Sequence, residues 1–379
     1  MDRKAVNRRK FLQMATALAG GPLLGSALSG CRSIPEADSS RRFSALTLPP
    51  VHVESERVIR VVTGLRPYRP SGFVIRSETF DNKLVVHNYG HGGAGVTLSW
   101  GCAELAAEKV LERGRREAVA ILGCGVIGLS TAIHLQEKGY PVTIYARDLP
   151  PNTTSDVAGA SWYPGLVVDA GRRTESFMQQ FKQVARLSHR RFQRLVGDEY
   201  AVYWRKQYFF AERRMPNPWQ MDALPELFPD SRYLPPGSHP FPRPHAYVDN
   251  LMFIEMPRYL RALMRDFHRF GGRLVVREFC SIREVLDLSE TLIVNCTGLG
   301  ARKLFNDQEL TPLKGQLVVL LPQPEIQYAL TFDDYYMFPT RHGILLGGTH
   351  EQGVESLIPD PRNTERILAA HSAAFEALE

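Results

Sequence analysis

Short apolar runs and longer amphipathic runs follow one another along most of this chain. Runs of period two or of continuous apolar character predict strands over 57–63, 84–86, 118–122, 142–146, 201–212, 246–251, 274–279, 291–295, 313–321, 335–339 and 343–348. Apolar residues at helical spacing predict helices over 101–113, 126–138, 174–196, 257–270 and 362–378. Strands that alternate with helices in the first half indicate an α/β fold, and the antiparallel set near the end indicates a second sheet.

A glycine-rich loop follows the apolar run at 84–86 and leads into a helix. Within 84–103 the loop carries Gly90, Gly92, Gly93 and Gly95. Glycine at so many loop positions suits a flat ligand lying against bare backbone, because a Cβ there would collide with it. The helix that follows directs its free N–H groups toward that ligand, so we expect an electron-rich oxygen there.

A second glycine turn, Gly-Cys-Gly-Val-Ile-Gly at 123–128, lies between a predicted strand and a predicted helix. Gly123 permits the tight turn, Gly125 admits a pyrophosphate and Gly128 allows close packing of helix on strand. Asp148 follows Gly128 by 20 residues, where a side chain is expected to contact a ribose. The turn therefore predicts a dinucleotide site; the alternative is a structural glycine turn without a nucleotide.

Two arginines three residues apart, Arg66 and Arg69, are each adjacent to prolines in the stretch 64–70. Proline stiffens such a segment, which then holds a guanidinium group in one place to bind a carboxylate with two hydrogen bonds. The alternative is a surface ion pair with an acidic residue of the chain.

The residues at 84–103 resemble, almost position for position, the signature of the D-amino-acid oxidase family of flavoenzymes. In that family the signature lies near the carboxyl end, after the dinucleotide turn, whereas here it precedes 123–128. The chain thus resembles a circular permutant of the family, with its new ends between residue 379 and about residue 55. The implied architecture is a Rossmann-like FAD-binding domain with a mixed or antiparallel substrate domain.

The resemblance implies FAD as cofactor and a role for each matching residue. Arg66 and Tyr247 are expected to hold the substrate carboxylate, and the carbonyl of Gly93 is expected to receive the substrate amine. Other matching positions are expected to contact the cofactor: Gly92, Gly95, Thr97, Gly123, Gly125, Val126, Ile127, Gly128, Arg147, Asp148, Thr154, Ser155, Ala160, Ser161 and Gly298. Arg69 is expected to be structural, and His87 and His91 are expected to be hydrogen-bonding residues of the loop. No metal site is expected.

The activity implied is oxidation of D-amino acids to 2-oxo acids, ammonia and hydrogen peroxide, with oxygen as acceptor. Two alternatives remain open: a membrane-linked dehydrogenase that passes electrons to quinone, and an exported protein that binds flavin without turnover. The side chain of the substrate stays undetermined, and glycine or secondary amines remain candidates. The divergent stretch 215–244 resembles the region that includes the active-site lid in some family members.

The domain boundaries follow from these assignments. We expect the FAD-binding domain in 84–115, 116–172 and 272–311; the substrate domain in 55–83, 173–271 and 312–361; and a terminal helix at 362–379. Residues 55–115 correspond to the carboxyl end of the family.

The first 31 residues have the pattern of an export signal. Twin arginines at 8–9 precede an apolar run, and small residues precede Cys31, as in a bacterial lipobox. We expect export of the folded protein, a lipid anchor at Cys31 and a tether over 32–54; the alternative is an uncleaved membrane anchor.

The formal net charge of the chain is +6, but five basic residues and one acid at 2–10 contribute +4 of it. The charge that remains is too small to indicate a nucleic-acid partner. We therefore expect a small-molecule substrate, with the oligomeric state left open.

Overall fold

The computed structural model describes residues 46–114, 116–376 and 378. The predicted signal at 1–31 and the first part of the tether, 32–45, lie outside these described residues. The helices are α1 (Gly95–Leu111), α2 (Val126–Glu137), α3 (Glu175–Arg194), α4 (Trp219–Ala223), α5 (Met256–Arg269), α6 (Ile282–Leu286), α7 (Gly300–Leu304) and α8 (Pro361–Glu376). The strands are β1 (Val58–Tyr68), β2 (Val74–Phe80), β3 (Lys83–Tyr89), β4 (Val119–Leu122), β5 (Val142–Ala146), β6 (Val202–Ala211), β7 (Arg232–Leu234), β8 (His245–Ile254), β9 (Arg273–Val276), β10 (Leu292–Asn295), β11 (Thr311–Leu320), β12 (Tyr328–Phe332), β13 (Tyr335–Thr340), β14 (Gly343–Gly347) and β15 (Glu351–Gln352).

Both glycine turns follow strands of a six-stranded sheet and lie at one edge of it. Its order is β2-β3-β10-β4-β5-β9, and all its neighbouring pairs are parallel except β2 with β3. The carboxyl ends of β3, β10 and β4 lie side by side, since Asn295 pairs with both His87 and Leu122. The loops after these three strands therefore meet at the edge where α/β sheets bind ligands.

A nine-stranded sheet forms the second layer. Its order is β1-β11-β14-β13-β12-β6-β8-β7, with β15 paired to β11, and its pairs are antiparallel except β12 with β6. One face packs on α8 and the segment before β1, with Tyr208, Val248 and Met337 in the core. The other face turns toward the six-stranded sheet, with Leu251, Phe253 and Phe338 in the largest core cluster.

Helix α1 is buried along most of its length between α2 and α3. A Cβ on Gly101 would lie 2.0 Å from the carbonyl oxygen of Val184, so the bare glycine allows α3 to approach closely. Thr174 caps α3 by accepting a hydrogen bond from Phe177 N at 3.2 Å. Both packing and capping thus fix α3 against the glycine-loop helix.

Several predicted boundaries differ from the structure. Helix α1 begins at Gly95 rather than at residue 101, because the loop tightens into a 3-10 turn that continues directly into the helix. Strand β1 extends through Pro67 to Tyr68. It can do so because a proline favours extended backbone in the residue before it. Strand β2, assigned by prediction to the substrate domain, pairs with β3 in the six-stranded sheet.

Two helices assigned to the substrate domain also pack on the other layer. Helix α3 packs on α1, and α5 packs on α2, where Gln136 Nε2 donates to Phe267 O at 3.0 Å. The apolar faces of α3 and α5 pack on helices of the six-stranded layer. The order of elements along the sequence does not indicate this packing.

Residues 46–54, the end of the predicted tether, pack on the nine-stranded sheet. The hydroxyl of Tyr328 donates to Pro49 O at 2.8 Å, and Val51 is 3% exposed. Val51 shares a core cluster with Phe375 near the other end of the chain. The two ends of the described domain therefore lie on one surface of this sheet.

Among the helices in the described ranges, none combines the length and apolar character needed to cross a bilayer.

Candidate active site

The turn after β4 brings three backbone segments into close contact. Gly123 has φ +106°, and a Cβ there would lie 2.6 Å from the carbonyl oxygen of Cys296 on the turn after β10. A Cβ on Gly128 would lie 2.0 Å from the carbonyl oxygen of Gly123. Both positions therefore require glycine for the reasons that the sequence predicted: a tight turn and close packing of α2 on β4.

The amino end of α2 presents backbone donors at this turn. Its cap position, Gly125, has no side chain to accept from the first-turn amides, which include Val126 N and Ile127 N. Val126 N donates to Ser155 Oγ at 3.0 Å, and a Cβ on Gly125 would lie 3.1 Å from that oxygen. This arrangement of amides, dipole and bare Cα suits a pyrophosphate.

The segment 153–161 connects the dinucleotide turn with the large sheet. It folds into a 3-10 turn, Thr154–Val157, with Thr153 N donating to Asp156 Oδ2 at 3.1 Å. At its end, Ala160 has φ +39° and its carbonyl accepts from Ile254 N at 2.9 Å. Ser161 forms an isolated bridge with Phe253.

Arg147 and Asp148 lie at the carboxyl end of β5, as predicted for the ribose-binding position. Both are exposed, and Arg147 Nε donates to Asp148 Oδ2 at 2.8 Å. Arg147 Nη1 also lies 3.3 Å from Glu278 Oε1. The pair is accessible to a ribose, and which of the two residues would contact it stays a prediction.

The glycine loop after β3 ends in the 3-10 turn Gly92–Ala94 and in α1, neither of which has a side-chain cap. Gly93 N donates to Leu166 O at 2.9 Å, and Thr97 Oγ1 donates to Tyr163 O at 3.4 Å. The segment around Leu166 thus closes one side of the loop, while the first amides of α1, from Gly95 onward, have no side-chain acceptor. The role of the Gly93 carbonyl stays a prediction.

The turn after β10 reaches the arginine strand. Gly298 has φ +56°, and a Cβ there would lie 3.8 Å from Pro67 Cγ, next to Arg66. The two glycine loops and the arginine strand therefore converge at one edge of the six-stranded sheet.

Arg66 and Arg69 have different surroundings. Arg69 pairs with Asp307 at 2.9 Å and with Glu309 at 2.6 Å, so its predicted structural role is confirmed. Arg66 Nη1 donates to Thr349 O at 3.5 Å, and no acidic side chain of the described residues forms an ion pair with Arg66. A half-buried guanidinium without a counter-ion is a suitable site for an anion.

Tyr336 is the tyrosine that the large sheet brings to Arg66. Burial raises the pKa of Tyr336, whereas the positive charge of Arg66 and the hydrogen bond between the two residues lower it. Tyr247, the tyrosine predicted from the sequence to hold the carboxylate, lies on β8, three strands from β13. Its hydroxyl accepts from Met215 N at 2.9 Å and lies 3.0 Å from Met215 O. Arg66 and Tyr247 are thus not brought together.

The sequence carries a signal for Tyr336 in a glycine of the neighbouring strand. Glycine inside a strand often marks the close approach of another group. Gly347 faces Tyr336 across the β13–β14 pair, and a Cβ on Gly347 would lie 2.1 Å from Tyr336 Cζ. The tyrosine ring therefore occupies the space that this glycine leaves.

The two histidines of the first glycine loop are buried. His87 Nε2 lies 3.2 Å from Glu78 Oε2 and His87 Nδ1 lies 3.2 Å from Asn295 Nδ2, which confirms its hydrogen-bonding role. Burial lowers the pKa of His91 to about 3, and its ring stacks on Phe73 with centroids 5.4 Å apart. His91 is therefore neutral at physiological pH. Its Nε2 is buried without a hydrogen-bond partner among the described residues, so the hydrogen-bonding role predicted for His91 is wrong.

Within the described ranges, no group of three or more His, Cys, Asp or Glu side chains could hold a metal ion.

The geometry has a counterpart among known protein families. A family model described as "FAD dependent oxidoreductase", DAO, matches residues 35–109 and 118–379. The chain belongs to this family. FAD is therefore the cofactor of this protein. The two glycine turns are the parts of the structure that best fit FAD.

Relatives of known name support the same family. The D-amino-acid oxidase of Rubrobacter xylanophilus is 34% identical over 281 residues, which cover 69% of this chain and 78% of the relative. The D-amino-acid oxidase of Dictyostelium discoideum is 32% identical over 265 residues, which cover 65% and 70%. Human D-aspartate oxidase is 28% identical over 261 residues, which cover 66% and 74%.

Solved structures with lower identity share the fold. Glycine oxidase from Bacillus cereus superposes with a TM-score of 0.53 at 18% identity, covering 69% of this chain and 78% of that structure. An L-α-glycerophosphate oxidase from Mycoplasma pneumoniae, solved with FAD bound, gives a TM-score of 0.51 at 14% identity, covering 70% and 80%. The predicted α/β architecture with a mixed second sheet is thus confirmed.

The described residues fit FAD at two places along the cofactor, the pyrophosphate and the ring. The bare Cα of Gly125 and the amides of α2 would hold the pyrophosphate, with Ser155 beside them. The uncapped amino end of α1, after Gly92 and Gly93, would face the electron-rich edge of the ring.

Proposed function

We propose that this protein uses FAD and oxygen to convert D-amino acids to 2-oxo acids, ammonia and hydrogen peroxide. The observation that carries the proposal is the guanidinium of Arg66, which has no acidic partner among the described residues and lies beside the hydroxyl of Tyr336. This pair matches the carboxylate of an amino acid in charge and in hydrogen-bond donors. The D-amino-acid oxidases that the chain resembles support the choice of enantiomer.

Each residue of the site has a defined task in this reaction. Arg66 binds the substrate carboxylate through its guanidinium N–H groups, and Tyr336 donates its hydroxyl hydrogen to the same carboxylate. The carbonyl of Gly93 is proposed to accept from the substrate amine. FAD, when bound, supplies the two-electron acceptor that the twenty side chains lack.

The reaction needs no side-chain base in this proposal, and the buried surroundings of His91 agree with that. Its pKa of about 3 keeps the ring neutral at working pH, and it stacks on Phe73 instead of facing Arg66. Holding the substrate in one orientation is then the main contribution of the protein.

The decisive experiment measures peroxide release by the FAD-loaded protein with matched pairs of D- and L-amino acids. We expect peroxide from the D-enantiomers and a matching uptake of oxygen on an oxygen electrode. Activity that requires an artificial acceptor would favour a dehydrogenase, and flavin that no D-amino acid reduces without oxygen would favour a binding protein.

We also propose that the chain is a circular permutant of the family fold. In a doubly wound sheet the order is 3-2-1-4-5, and here β9, β5, β4 and β10 take the first four places. The fifth place belongs to β3, which precedes β4 in the chain. Because Val51 and Phe375 share one core cluster, the two ends are near enough for such a rearrangement.

A rearranged gene tests this proposal. Residue 376 is joined to residue 50 by a short flexible linker, and the new chain begins at 116 and ends at 114. We expect it to fold, to bind FAD and to release peroxide. A rearranged chain that remains unfolded while linker-length variants also fail would contradict the proposal.

We propose further that the mature protein is exported by a twin-arginine route and anchored through Cys31. The support is the sequence alone: the arginines at 8–9, the apolar run and the small residues before the cysteine. Substituting both arginines by lysine is expected to leave the protein in the cytoplasm, and Cys31→Ser is expected to release it from the membrane fraction. Fractionation of expressing bacteria measures both.

A further inference from the structure

Asp249 is a buried acid on the side of the large sheet that faces the FAD-binding layer. Its side chain is 2% exposed, and neither carboxylate oxygen has a hydrogen-bond partner of acceptable geometry among the described residues. Burial raises the pKa of Asp249 to about 6; the hydroxyl of Ser231, which can donate to the carboxylate, lowers it, and the charge of Asp230 raises it further. A carboxylate so placed is costly to the fold, so its presence calls for a function.

A second unpaired acceptor lies directly opposite Asp249. Gln207 pairs with Asp249 across β6 and β8, which places their Cβ atoms about 5 Å apart. Gln207 Nε2 donates to Thr331 Oγ1 at 2.8 Å, but its Oε1 is buried without a partner among the described residues. The hydroxyl of Tyr163 donates to Gln220 Oε1 at 3.2 Å and is therefore not used to satisfy Asp249. A group with several N–H donors would satisfy both adjacent acceptors.

Strand register connects these acceptors to the proposed carboxylate site. Thr331 pairs with Tyr336 across β12 and β13, and Thr331 also receives the hydrogen bond of Gln207. Residues directly opposite each other in a sheet lie on the same face. On β6 the residue opposite Thr331 is Phe209, two residues from Gln207 and on the same face. Tyr336, Thr331, Gln207 and Asp249 therefore form one oblique polar row along the face.

The length of this row determines what ligand would span it. Three strand spacings, about 14 Å, and the two-residue offset, about 7 Å, separate the backbones of Tyr336 and Asp249 by about 16 Å. Hydrogen bonds of about 3 Å at the two ends leave about 10 Å for the ligand. That span suits an amino acid with a long side chain ending in a cation, and alanine or serine is too short for it.

Two arginines near the row interact with neutral groups. Arg205, on the same face of β6, donates from Nη1 to Gln327 Oε1 at 2.8 Å. The guanidinium of Arg214 lies over the ring of Tyr233, 4.8 Å from its centroid. At the two ends of the row, Arg66 carries a positive charge and Asp249 a negative charge. A ligand with a carboxylate at one end and an ammonium group at the other would match both charges.

We propose that Asp249, assisted by Gln207, binds the cationic end of the substrate side chain, so that D-amino acids of the lysine and arginine class are preferred. This inference rests on the proposed function, since it extends the same site. An acidic side chain would meet the Asp249 carboxylate and be repelled, and a neutral chain would leave both acceptors unsatisfied.

The test is a binding measurement that does not depend on turnover. 6-Aminohexanoate is lysine without its α-amine, and hexanoate is the same chain without the ammonium. Calorimetric titration of the FAD-loaded protein at pH 8 should show 6-aminohexanoate binding at least about tenfold more tightly than hexanoate. Asp249→Asn should bring the two affinities to within about threefold, and the matched control Asp230→Asn, an exposed neighbour, should retain the difference.

Equal affinity of the wild-type protein for the two acids would overturn the inference, as would a preference that persists in Asp249→Asn. Peroxide release from D-lysine and D-norleucine separates this result from the proposed function. Release from D-norleucine at equal or higher kcat/KM would contradict the cation site while supporting the oxidase. Tight 6-aminohexanoate binding without turnover of any D-amino acid would support the site while contradicting the oxidase.

Discussion

Arg66 donates a hydrogen bond to Tyr336 although two strands, β11 and β14, lie between them. The contact is possible because a glycine faces the site on each intervening strand. Cβ atoms on Gly315 and Gly347 would lie 2.5 Å from Arg66 Nη1 and 2.1 Å from Tyr336 Cζ. The anion site is therefore built jointly by four strands of one sheet.

Removing either partner of this contact should weaken substrate binding. Tyr336→Phe deletes one hydrogen bond to a charged group and should raise KM about 10- to 100-fold. Arg66→Ala removes the only proposed charge partner and should raise KM by about 100-fold or more. Flavin absorbance should remain in both variants, and steady-state kinetics with a D-amino acid measures the change.

Tyr335→Phe is the matched control, since Tyr335 turns to the opposite face and packs on His371. We expect its KM to stay within about twofold of wild type. If Tyr247→Phe raises KM as much as Tyr336→Phe does, Tyr247 also contributes to binding the substrate carboxylate, as the sequence predicted.

Gly315→Ala should displace the guanidinium of Arg66 without touching the substrate itself. The added methyl group would lie 2.5 Å from Nη1, so the far end of the flexible Arg66 side chain must move away from it. KM should rise while the unfolding temperature changes little, since the arginine side chain can move toward solvent. An unchanged KM in a folded variant would show that Arg66 binds the substrate from another rotamer.

Gly125→Ala should lose FAD but keep the fold. The backbone at Gly125, with φ −76°, accepts alanine, and the nearest obstacle is the movable Oγ of Ser155 at 3.1 Å. The methyl group would face the proposed pyrophosphate site, where close backbone approach is needed. Flavin content after purification measures the effect, and Gly171→Ala, with nothing within 4 Å, is the control. If the Gly125→Ala variant retains all its FAD, the pyrophosphate does not bind at Gly125.

The unfolding free energy of Asp249→Asn should exceed that of wild type at neutral pH. The folded pKa of about 6 lies above the usual 3.8, so the folded state holds the proton more tightly than the unfolded state. Stability from this group is therefore present below about pH 4 and is lost as pH rises through about 6. The variant should gain about 2–3 kcal/mol at pH 8 and nothing at pH 4.

Denaturant unfolding at the two pH values measures this difference. A variant that is equally or less stable at pH 8 would mean that the Asp249 carboxylate has a partner in solution. We expect Asp249→Asn to be more stable and to lose the preference for a cation. A residue that serves binding at a cost to stability behaves in this way.

The sequence by itself determined the local units. Glycine spacing at 90–95 and 123–128, with strands before and helices after, is a local steric requirement, and the structure confirms both turns. The two prolines of 64–70 predicted extended backbone at Arg66, and the structure confirms it. Such features are local because φ, ψ and Cβ contacts are decided within a few residues.

Only the tertiary structure decided which distant residues meet. Tyr336 joins Arg66, and Gln207 joins Asp249, through strand order and register that no local pattern encodes. Tyr247 has the right chemistry, but its strand lies three places from that of Tyr336. The assignment of β2, α3 and α5 to layers also depended on which apolar faces found partners, since the hydrophobic effect has no direction and rewards any good packing.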